Sequence, residues 1–232
     1  MNKGIFITGT DTGVGKTFVA AGLLKAMREM GFNVCPMKPL ETGCRVKNGK
    51  LIPQDALELI KASGAEEPVE IVSPYIFRQP LAPAIAAELE EVIIKKKKIL
   101  SAFEYLLNKY DITVVEGAGG IMVPVYKENL FIDLIKDFGL PVIIVARPGL
   151  GTINHTLLTI KAAKSSRLNV LGIIINYASK AKGDLSEETN PEIIERLGKA
   201  QVLGIIPYLR NRISLGKIFH KIALKLLKKN IT

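Results

Sequence analysis

An apolar strand that runs directly into a glycine-rich loop constrains this chain more than any other feature. The segment reads Ile5-Phe6-Ile7-Thr8-Gly9-Thr10-Asp11-Thr12-Gly13-Val14-Gly15-Lys16-Thr17, and a helical pattern follows it. In such a unit the loop N–H groups and the helix N-terminus point inward at an anion, where the helix dipole adds partial positive charge. Lys16 would reach the β- and γ-phosphates, and the Thr17 hydroxyl would hold Mg²⁺. The segment therefore predicts binding of a nucleoside triphosphate.

The spacing of this loop departs from the common phosphate-binding pattern. That pattern places four residues between the first glycine and Gly-Lys-[Ser/Thr]. Here Gly9 and Gly15 enclose five residues, and Thr10 stands where a glycine is usual. Because a strand and a helix flank the loop in the right order, we interpret it as a variant phosphate loop rather than an ordinary glycine-rich turn.

Composition restricts the class of protein and its partners. The 232 residues, 48% of them hydrophobic, are enough for one α/β domain with a large core. The 32 basic residues exceed the 22 acidic ones, but there is no Trp, and aromatic residues make up only 6%. The excess charge therefore predicts a solvated lysine face rather than a nucleic-acid site. No apolar run approaches the length of a membrane span, and no signal peptide precedes the first strand, so we expect a cytoplasmic protein without membrane attachment.

Cysteine and histidine offer little chemistry. Cys35 and Cys44 are too few for a metal cluster and lack the spacing of a redox pair, and His155 and His220 cannot form a zinc site. There is no Gly-x-Ser-x-Gly motif to mark a nucleophilic serine. Phosphoryl transfer is the chemistry that remains, with the acceptor left open by the residues themselves.

Strand and helix patterns alternate along the whole chain. The predicted strands are 4–8, 33–37, 112–115, 141–146, 170–175 and 202–206, and the predicted helices are 16–30, 56–62, 84–90, 97–108, 131–137, 153–167, 192–197 and 213–229. Continuous apolar strands separated by helices predict an α/β fold, in which a mainly parallel sheet is flanked by helices. We expect a single doubly wound domain over residues 1–232, of the P-loop NTPase type, with ligands bound at the carboxyl ends of the strands.

Three side chains near predicted strand ends are candidates for chemistry. Lys38 follows the second strand, and a cation beside a triphosphate can stabilise charge on the transferred phosphoryl group. Glu116 leaves a buried strand just before three glycines in four residues, where a carboxylate can hold Mg²⁺ directly or through water. Asp55 precedes the apolar pattern of a helix, and its spacing alone favours a helix N-cap.

Several motifs together resemble the dethiobiotin synthetases, ATP-dependent enzymes of biotin synthesis. They are the loop 9–17, segments 38–43, 55–56, 80–83, 115–120, 123–124, 150–156 and 204–207, and Asn176, and they run in family order over nearly the whole chain. The five-residue loop spacing is also that of the family. The resemblance implies that 7,8-diaminononanoate, CO₂ and ATP give dethiobiotin, ADP and phosphate, with Mg²⁺. A carbamate of the substrate would attack the γ-phosphate, and the second amine would then close the ring and expel phosphate.

The resemblance also implies roles for individual residues. Lys38 and Lys16 would be catalytic, and Thr17, Asp55 and Glu116 would hold Mg²⁺, which replaces the capping interpretation of Asp55. The implied ATP contacts are Thr12, Gly13, Val14, Gly15, Lys16, Thr17, Asp55, Glu116, Gly117, Ala118, Gly119, Asn176, Pro207, Tyr208 and Leu209. Asn176 would read the adenine. The implied substrate contacts are Thr42, Gly151, Thr152, Ile153 and Asn154. Residues 151–154 would begin a helix contributed by the partner subunit, so a homodimer is expected.

Two other classes share this fold and stay open at this stage. A regulatory ATPase of the MinD/ParA kind would use the basic C-terminal helix, whose apolar stripe could lie on a membrane or pack on the sheet. Such ATPases carry an extra lysine early in the loop, where this chain has Thr10 or Asp11. A related ligase or amidotransferase synthetase would need a glutaminase partner or a second domain with a nucleophilic cysteine, and the chain has neither.

Overall fold

The computed structural model describes residues 4–180, 183–209 and 212–229, and in this part of the chain strands and helices alternate. The strands are β1 (Gly4–Gly9), β2 (Val34–Met37), β3 (Leu40–Glu41), β4 (Arg45–Lys47), β5 (Lys50–Ile52), β6 (Tyr75–Ile76), β7 (Ile112–Gly120), β8 (Pro124–Tyr126), β9 (Asn129–Leu130), β10 (Val142–Ala146), β11 (Val170–Asn176) and β12 (Val202–Ile206). The helices are α1 (Lys16–Glu29), α2 (Gln54–Ser63), α3 (Val69–Val72), α4 (Pro83–Leu89), α5 (Lys96–Lys109), α6 (Phe131–Phe138), α7 (Thr152–Ser165), α8 (Leu185–Gly198) and α9 (Arg212–Leu227).

The central sheet confirms the predicted α/β class. Six strands lie in the order β12-β11-β10-β1-β7-β2, and every neighbouring pair is parallel. All their carboxyl ends therefore meet at one edge of the sheet, where the loop after β1 lies at the centre. In β1 and β7, Gly9 is paired with Gly120, so two backbones approach closely beside that loop.

Helices cover both faces of the sheet. Successive residues of a strand point to opposite faces, so each strand contributes side chains to two separate cores. In β1, Ile5 and Ile7 belong to a core packed by α1, α2 and α9, whereas Phe6 belongs to a core packed by α4 to α8. Buried strands on two covered faces explain why the sequence shows continuous apolar runs rather than alternation.

Two predicted elements have different bounds in the structure, and short elements occur where none is predicted. Strand β7 continues five residues beyond Val115, since Glu116 and Gly120 pair with Ile7 and Gly9 of β1 despite the low strand propensity of glycine. Helix α8 starts at Leu185 rather than at residue 192 and passes through Pro191; the Asp184 side chain caps it by accepting from the Glu187 N–H. No strand or helix is predicted between residues 62 and 84, but this stretch contains α3 and the two-residue strand β6. Packing and capping outweigh the local preference of glycine and proline here.

The C-terminal helix α9 packs on the protein rather than presenting its apolar stripe to solvent. Phe219, Ile222 and Leu226 are buried at 4%, 1% and 0% exposure, and the Phe219 ring lies edge-on to Phe18 of α1 at 5.7 Å between centroids. On the basic face, the Lys225 ammonium donates to the Leu203 carbonyl at 2.8 Å. Of the two arrangements considered for this stripe, the structure has the packed one. Within the described ranges, no helix has the length and hydrophobicity needed to cross a membrane.

Candidate active site

A cavity of about 250 Å³ lies at the carboxyl ends of the central strands, beside the glycine-rich loop. It brings together residues from five separate segments of the chain. Its lining consists of Thr12, Gly13, Gly15, Lys16, Thr17, Lys38, Thr42, Asp55, Glu116, Ala118 and Gly119. Eleven of the residues singled out from the sequence therefore line one cavity, although up to 107 positions separate them in the chain.

Two glycines shape the loop itself. Gly13 and Gly15 have φ of +76° and +88°, in the left-handed region that other residues rarely adopt. A Cβ on Gly15 would lie 2.2 Å from the Asn176 side-chain nitrogen, whereas one on Gly13 would meet nothing within 4 Å. Gly15 is thus required both for its conformation and for the close approach of Asn176.

Lys16 lies in the first turn of α1 and is 7% exposed. Its ammonium donates to the Asp11 carbonyl at 3.3 Å, so the side chain folds back over the loop. Burial, and after it the positive charge of Lys38, lower the pKa of Lys16 from 10.5 to about 8. An anion in the loop would counter both effects, and the site is therefore poised to gain from a bound phosphate.

Lys38 is the centre of a buried charge cluster. Its Nζ lies 2.6 Å from Glu116 Oε1 and 2.9 Å from Asp55 Oδ2. Burial alone would lower the pKa of Lys38, but the carboxylates of Glu116 and Asp55 outweigh it and hold that pKa above the ordinary value. Lys38 therefore stays charged inside the cavity. Asp55 is the second residue of α2 and turns its carboxylate to Lys38, so the N-cap interpretation from spacing was wrong.

Thr17, Asp55 and Glu116 form an oxygen-rich group that fits Mg²⁺. The Thr17 hydroxyl donates to Glu116 Oε1 at 2.8 Å, while the buried Glu116 Oε2 has no hydrogen-bond partner in the described part of the chain. Hydroxyl and carboxylate oxygens are the ligands that Mg²⁺ takes, usually one or two carboxylates completed by phosphate oxygens and water. Among the described residues, no three His, Cys, Asp or Glu side chains cluster to hold a metal alone.

Glu41 is a buried residue of this region that the sequence reasoning missed. It is 3% exposed, and its two carboxylate oxygens accept from the backbone N–H groups of Asp55 and Ala56, each at 2.9 Å. Burial raises the pKa of Glu41, and the two N–H donors partly oppose that rise. One signal could have pointed to it: Pro53 has no capping side chain, so the start of α2 needs an acceptor from elsewhere.

Asn176 lies at the end of β11, against the outer side of the loop. Its Nδ2 donates to the Val14 carbonyl at 2.9 Å, while its buried Oδ1 has no partner among the described residues. Asn176 and Tyr177 line a neighbouring cavity of about 340 Å³, together with Gly13 and residues 147–150. Pro207 directly follows Ile206, which pairs with Asn176, and Tyr208 and Leu209 are 49% and 41% exposed beyond it.

Other candidate residues lie close to the cavity without lining it. The Val14 side chain is buried in the core next to α1, and a Cβ on Gly117 would meet the Phe6 ring at 3.1 Å. Both positions are therefore restricted by packing as well as by any ligand.

The segment 151–154 at the start of α7 lies outside the lining of the cavity around Lys38. Thr152 is fully buried, and its N–H donates to the Gly149 carbonyl at 3.1 Å. Gly151 has φ of +89° and precedes the helix, while Asn154 is exposed. Within one chain the structure thus does not bring this segment together with Lys38.

Comparison with known proteins gives concordant results. A family model described as an AAA domain matches residues 3–213. The chain is 46% identical over 216 residues to the ATP-dependent dethiobiotin synthetase BioD of Thermodesulfovibrio yellowstonii, covering 90% of each chain. It is 41% identical over 206 residues to that of Methanocaldococcus jannaschii, covering 87% of this chain and 92% of the relative. The septum site-determining protein MinD from Pyrococcus horikoshii, complexed with Mg-ADP, superposes with a TM-score of 0.59 at 18% identity, covering 100% and 99%.

The parallel sheet, the glycine-rich loop after its central strand and the lysine that opens α1 define a P-loop NTPase domain. The likeness to MinD concerns the fold alone. Sequence identity over most of the chain, by contrast, shows the family. The chain belongs to the ATP-dependent dethiobiotin synthetase family, whose members are ligases.

Proposed function

We propose that this protein joins CO₂ to 7,8-diaminononanoate and closes the ureido ring of dethiobiotin, with conversion of ATP to ADP and phosphate. Membership of the family supports the overall reaction. The observation that carries the proposal is the buried Lys38 ammonium, which shares one cavity with the phosphate loop, Asp55 and Glu116. A cation held there is suited to the charge of a transferring phosphoryl group.

The reaction has a chemically reasonable order. One substrate amine adds to CO₂ and loses a proton to form a carbamate, whose oxygen attacks the γ-phosphorus while the bond to the ADP oxygen breaks. The second amine then attacks the carbonyl carbon of this mixed anhydride, loses a proton and expels phosphate. Lys16 would contact the β- and γ-oxygens, Lys38 would stabilise the charge between carbamate and γ-phosphate, and Thr42 would hydrogen-bond the substrate.

We assign Thr17, Asp55 and Glu116 to hold Mg²⁺. Support comes from their hard oxygen donors and from the unpartnered, buried Oε2 of Glu116. When bound, Mg²⁺ would neutralise charge on the β- and γ-phosphate oxygens. The loop residues would wrap the triphosphate through their N–H groups: Thr12, Gly13, Val14, Gly15, Lys16 and Thr17, with Gly117, Ala118 and Gly119 closing the opposite side.

We assign recognition of the base to Asn176. Its unpartnered Oδ1 is an acceptor that suits the exocyclic amine of adenine, and its Nδ2 is fixed by Val14. A buried acceptor left unpaired is unfavourable, so a base that supplies a donor there is preferred. Pro207, Tyr208 and Leu209 would pack near the base.

We further propose a cytoplasmic homodimer in which Gly151, Ile153 and Asn154 of one subunit bind the substrate carboxylate in the site of the other. The absence of this segment from the lining around Lys38 supports a contribution across a subunit interface. Thr152, which completes the segment, is buried and uses its N–H within the turn, so we expect its role to be support of this turn.

The direct experiment is incubation with ATP, Mg²⁺, bicarbonate and 7,8-diaminononanoate, with dethiobiotin detected by mass spectrometry. We expect product from the wild type and a loss of about a hundredfold or more with Lys38→Ala, since removal of one preorganised electrostatic group costs roughly that factor. Lys225→Ala, which removes an ammonium that does not line the cavity, is the matched control and should keep the wild-type rate. Hydrolysis of ATP by the wild type without ureido product would contradict the proposal.

A further inference from the structure

Glu41 is a buried carboxylate with no part in the reaction as proposed above. It ends β3, is 3% exposed and does not line the cavity around Lys38. Its Oε1 accepts from the Asp55 N–H and its Oε2 from the Ala56 N–H, both at 2.9 Å. These donors belong to the first turn of α2, where N–H groups have no partner within the helix. One side chain thus satisfies two of these N–H groups, from a strand 14 and 15 positions earlier in the chain.

The segment just before α2 supplies no side chain that caps the first turn of this helix. The preceding chain forms the hairpin of β4 and β5, whose residues are exposed or half-buried. Pro53, at the N-cap, makes no side-chain cap bond. Pro53 and Ala56 are themselves buried, and the two bonds from Glu41 add directional contacts that help to fix where this first turn lies.

The strand that carries Glu41 is itself firmly held. The Glu41 carbonyl accepts from the Phe77 N–H at 2.8 Å, and the Lys38 N–H donates to the Val72 carbonyl at 2.8 Å. Lys38 and Thr42 lie three residues before and one residue after Glu41. The Glu41 side chain therefore joins the segment that bears Lys38 and Thr42 to the turn that bears Asp55.

We propose that Glu41 is a positioning residue, whose two bonds to the start of α2 hold the Asp55 carboxylate in place as a ligand of Mg²⁺. The inference rests on the proposed function only in taking Asp55 as that ligand. Glu41 touches neither metal nor nucleotide and acts through Asp55. Groups that hydrogen-bond a metal-ligating side chain commonly change metal affinity about 10- to 100-fold when removed, and we expect the lower end of that range for a contact made through the backbone.

The test compares two variants of Glu41 with a matched control. Glu41→Ala removes both acceptors, and Glu41→Gln keeps one while turning an amide NH₂ toward the other N–H. Glu67→Gln is the control: Glu67 is also a buried carboxylate, bonded to Tyr110 at 2.9 Å and Lys109 at 2.6 Å, and it lies outside the cavity around Lys38. It reports what loss of any buried carboxylate does to stability.

Three measurements separate positioning from simple stabilisation. Binding of Mn²⁺ in the presence of ATP is followed by the electron paramagnetic resonance signal of free Mn²⁺, ATP binding is measured without metal, and thermal unfolding is recorded for each variant. For Glu41→Ala we expect Mn²⁺ affinity to fall about tenfold, with a smaller loss for Glu41→Gln. ATP affinity without metal should stay at the wild-type value, and Glu67→Gln should lower the Tm without changing Mn²⁺ affinity.

Unchanged Mn²⁺ affinity in folded Glu41→Gln and Glu41→Ala would overturn the proposal and leave Glu41 as a helix cap alone. If Glu41→Ala does not fold, Glu41→Gln decides the outcome by the same comparison. The proposed function is judged separately: absence of dethiobiotin from the wild-type reaction would refute it, whereas the Mn²⁺ measurement needs no turnover.

Discussion

At the scale of single residues, close approach of groups distant in the chain decides what each position tolerates. Gly13 and Gly15 both have positive φ, but only Gly15 has a neighbour that a Cβ would strike, the Asn176 amide at 2.2 Å. Asn176 cannot move away without losing its bond to the Val14 carbonyl. Gly13 is therefore restricted by its backbone conformation alone, whereas Gly15 is restricted by its conformation and by the contact with Asn176.

We expect Gly15→Ala to weaken ATP binding more than Gly13→Ala. Alanine in the left-handed conformation costs about 1–2 kcal/mol at either position, whereas the contact with Asn176 adds a displacement of the loop at Gly15 only. Isothermal titration with ATP measures the difference, which we expect to be about tenfold or more in Kd. Equal affinities for the two variants would contradict the role of the Gly15–Asn176 contact.

At the scale of elements, packing against α1 and the sheet determines where the apolar stripe of the basic, amphipathic helix α9 lies. Its Phe219 ring lies against Gly22 of α1, where even a Cβ would come within 2.2 Å of the ring. The stripe of Leu215, Phe219, Ile222 and Leu226 belongs to the core shared with α1 and the sheet. Burial of this stripe stabilises the domain by the hydrophobic effect, and the lysines remain at the surface.

Replacement of Phe219 by alanine should therefore destabilise the whole domain. A buried phenylalanine truncated to alanine costs about 3–5 kcal/mol through lost burial and the cavity left behind. Leu224→Ala is the control on the same helix, because Leu224 is 44% exposed and should change the free energy of unfolding by less than about 1 kcal/mol. Urea unfolding of the two variants measures both values. Similar stability of the two variants would mean that α9 does not pack as described.

At the scale of the whole molecule, the position of α7 bears on how many chains form one site. Its N-terminal segment lies outside the cavity that holds Lys38, Asp55 and Glu116. A symmetric dimer places the same patch of each subunit against the other and can complete two equivalent sites at once.

Mixing two inactive variants tests this arrangement. Lys38→Ala disables the site in its own subunit, and Asn154→Asp places a negative charge where we propose the substrate carboxylate binds. If Asn154 acts across the interface, a mixed dimer has one site with neither substitution, and an equal mixture should regain about a quarter of wild-type activity by random pairing. Each variant alone should stay inactive. No recovery after subunit exchange, with dimers shown by light scattering, would place both residues in the same subunit's site.

The features that local patterns encode could be predicted without the structure. The apolar strands separated by helices predicted the parallel α/β sheet, which the structure confirms, and the loop before Lys16 predicted the P-loop class. Motifs in order along the chain indicated the synthetase family, which the extent of identity to its members shows. Periodicity and turn residues act over a few positions, so these features need no knowledge of distant contacts.

Contacts between segments that are distant in the chain became known from the folded structure. It places Lys38 between Asp55 and Glu116, which lie 17 and 78 positions away, and shows that the Asp55 carboxylate contacts Lys38. It also gives the capping role to Glu41, extends β7 through its glycines by pairing with β1, and buries the stripe of α9. Each of these features depends on which surfaces meet once the sheet has formed. Burial of apolar side chains and the pairing of backbone donors then outweigh the local preferences of single residues.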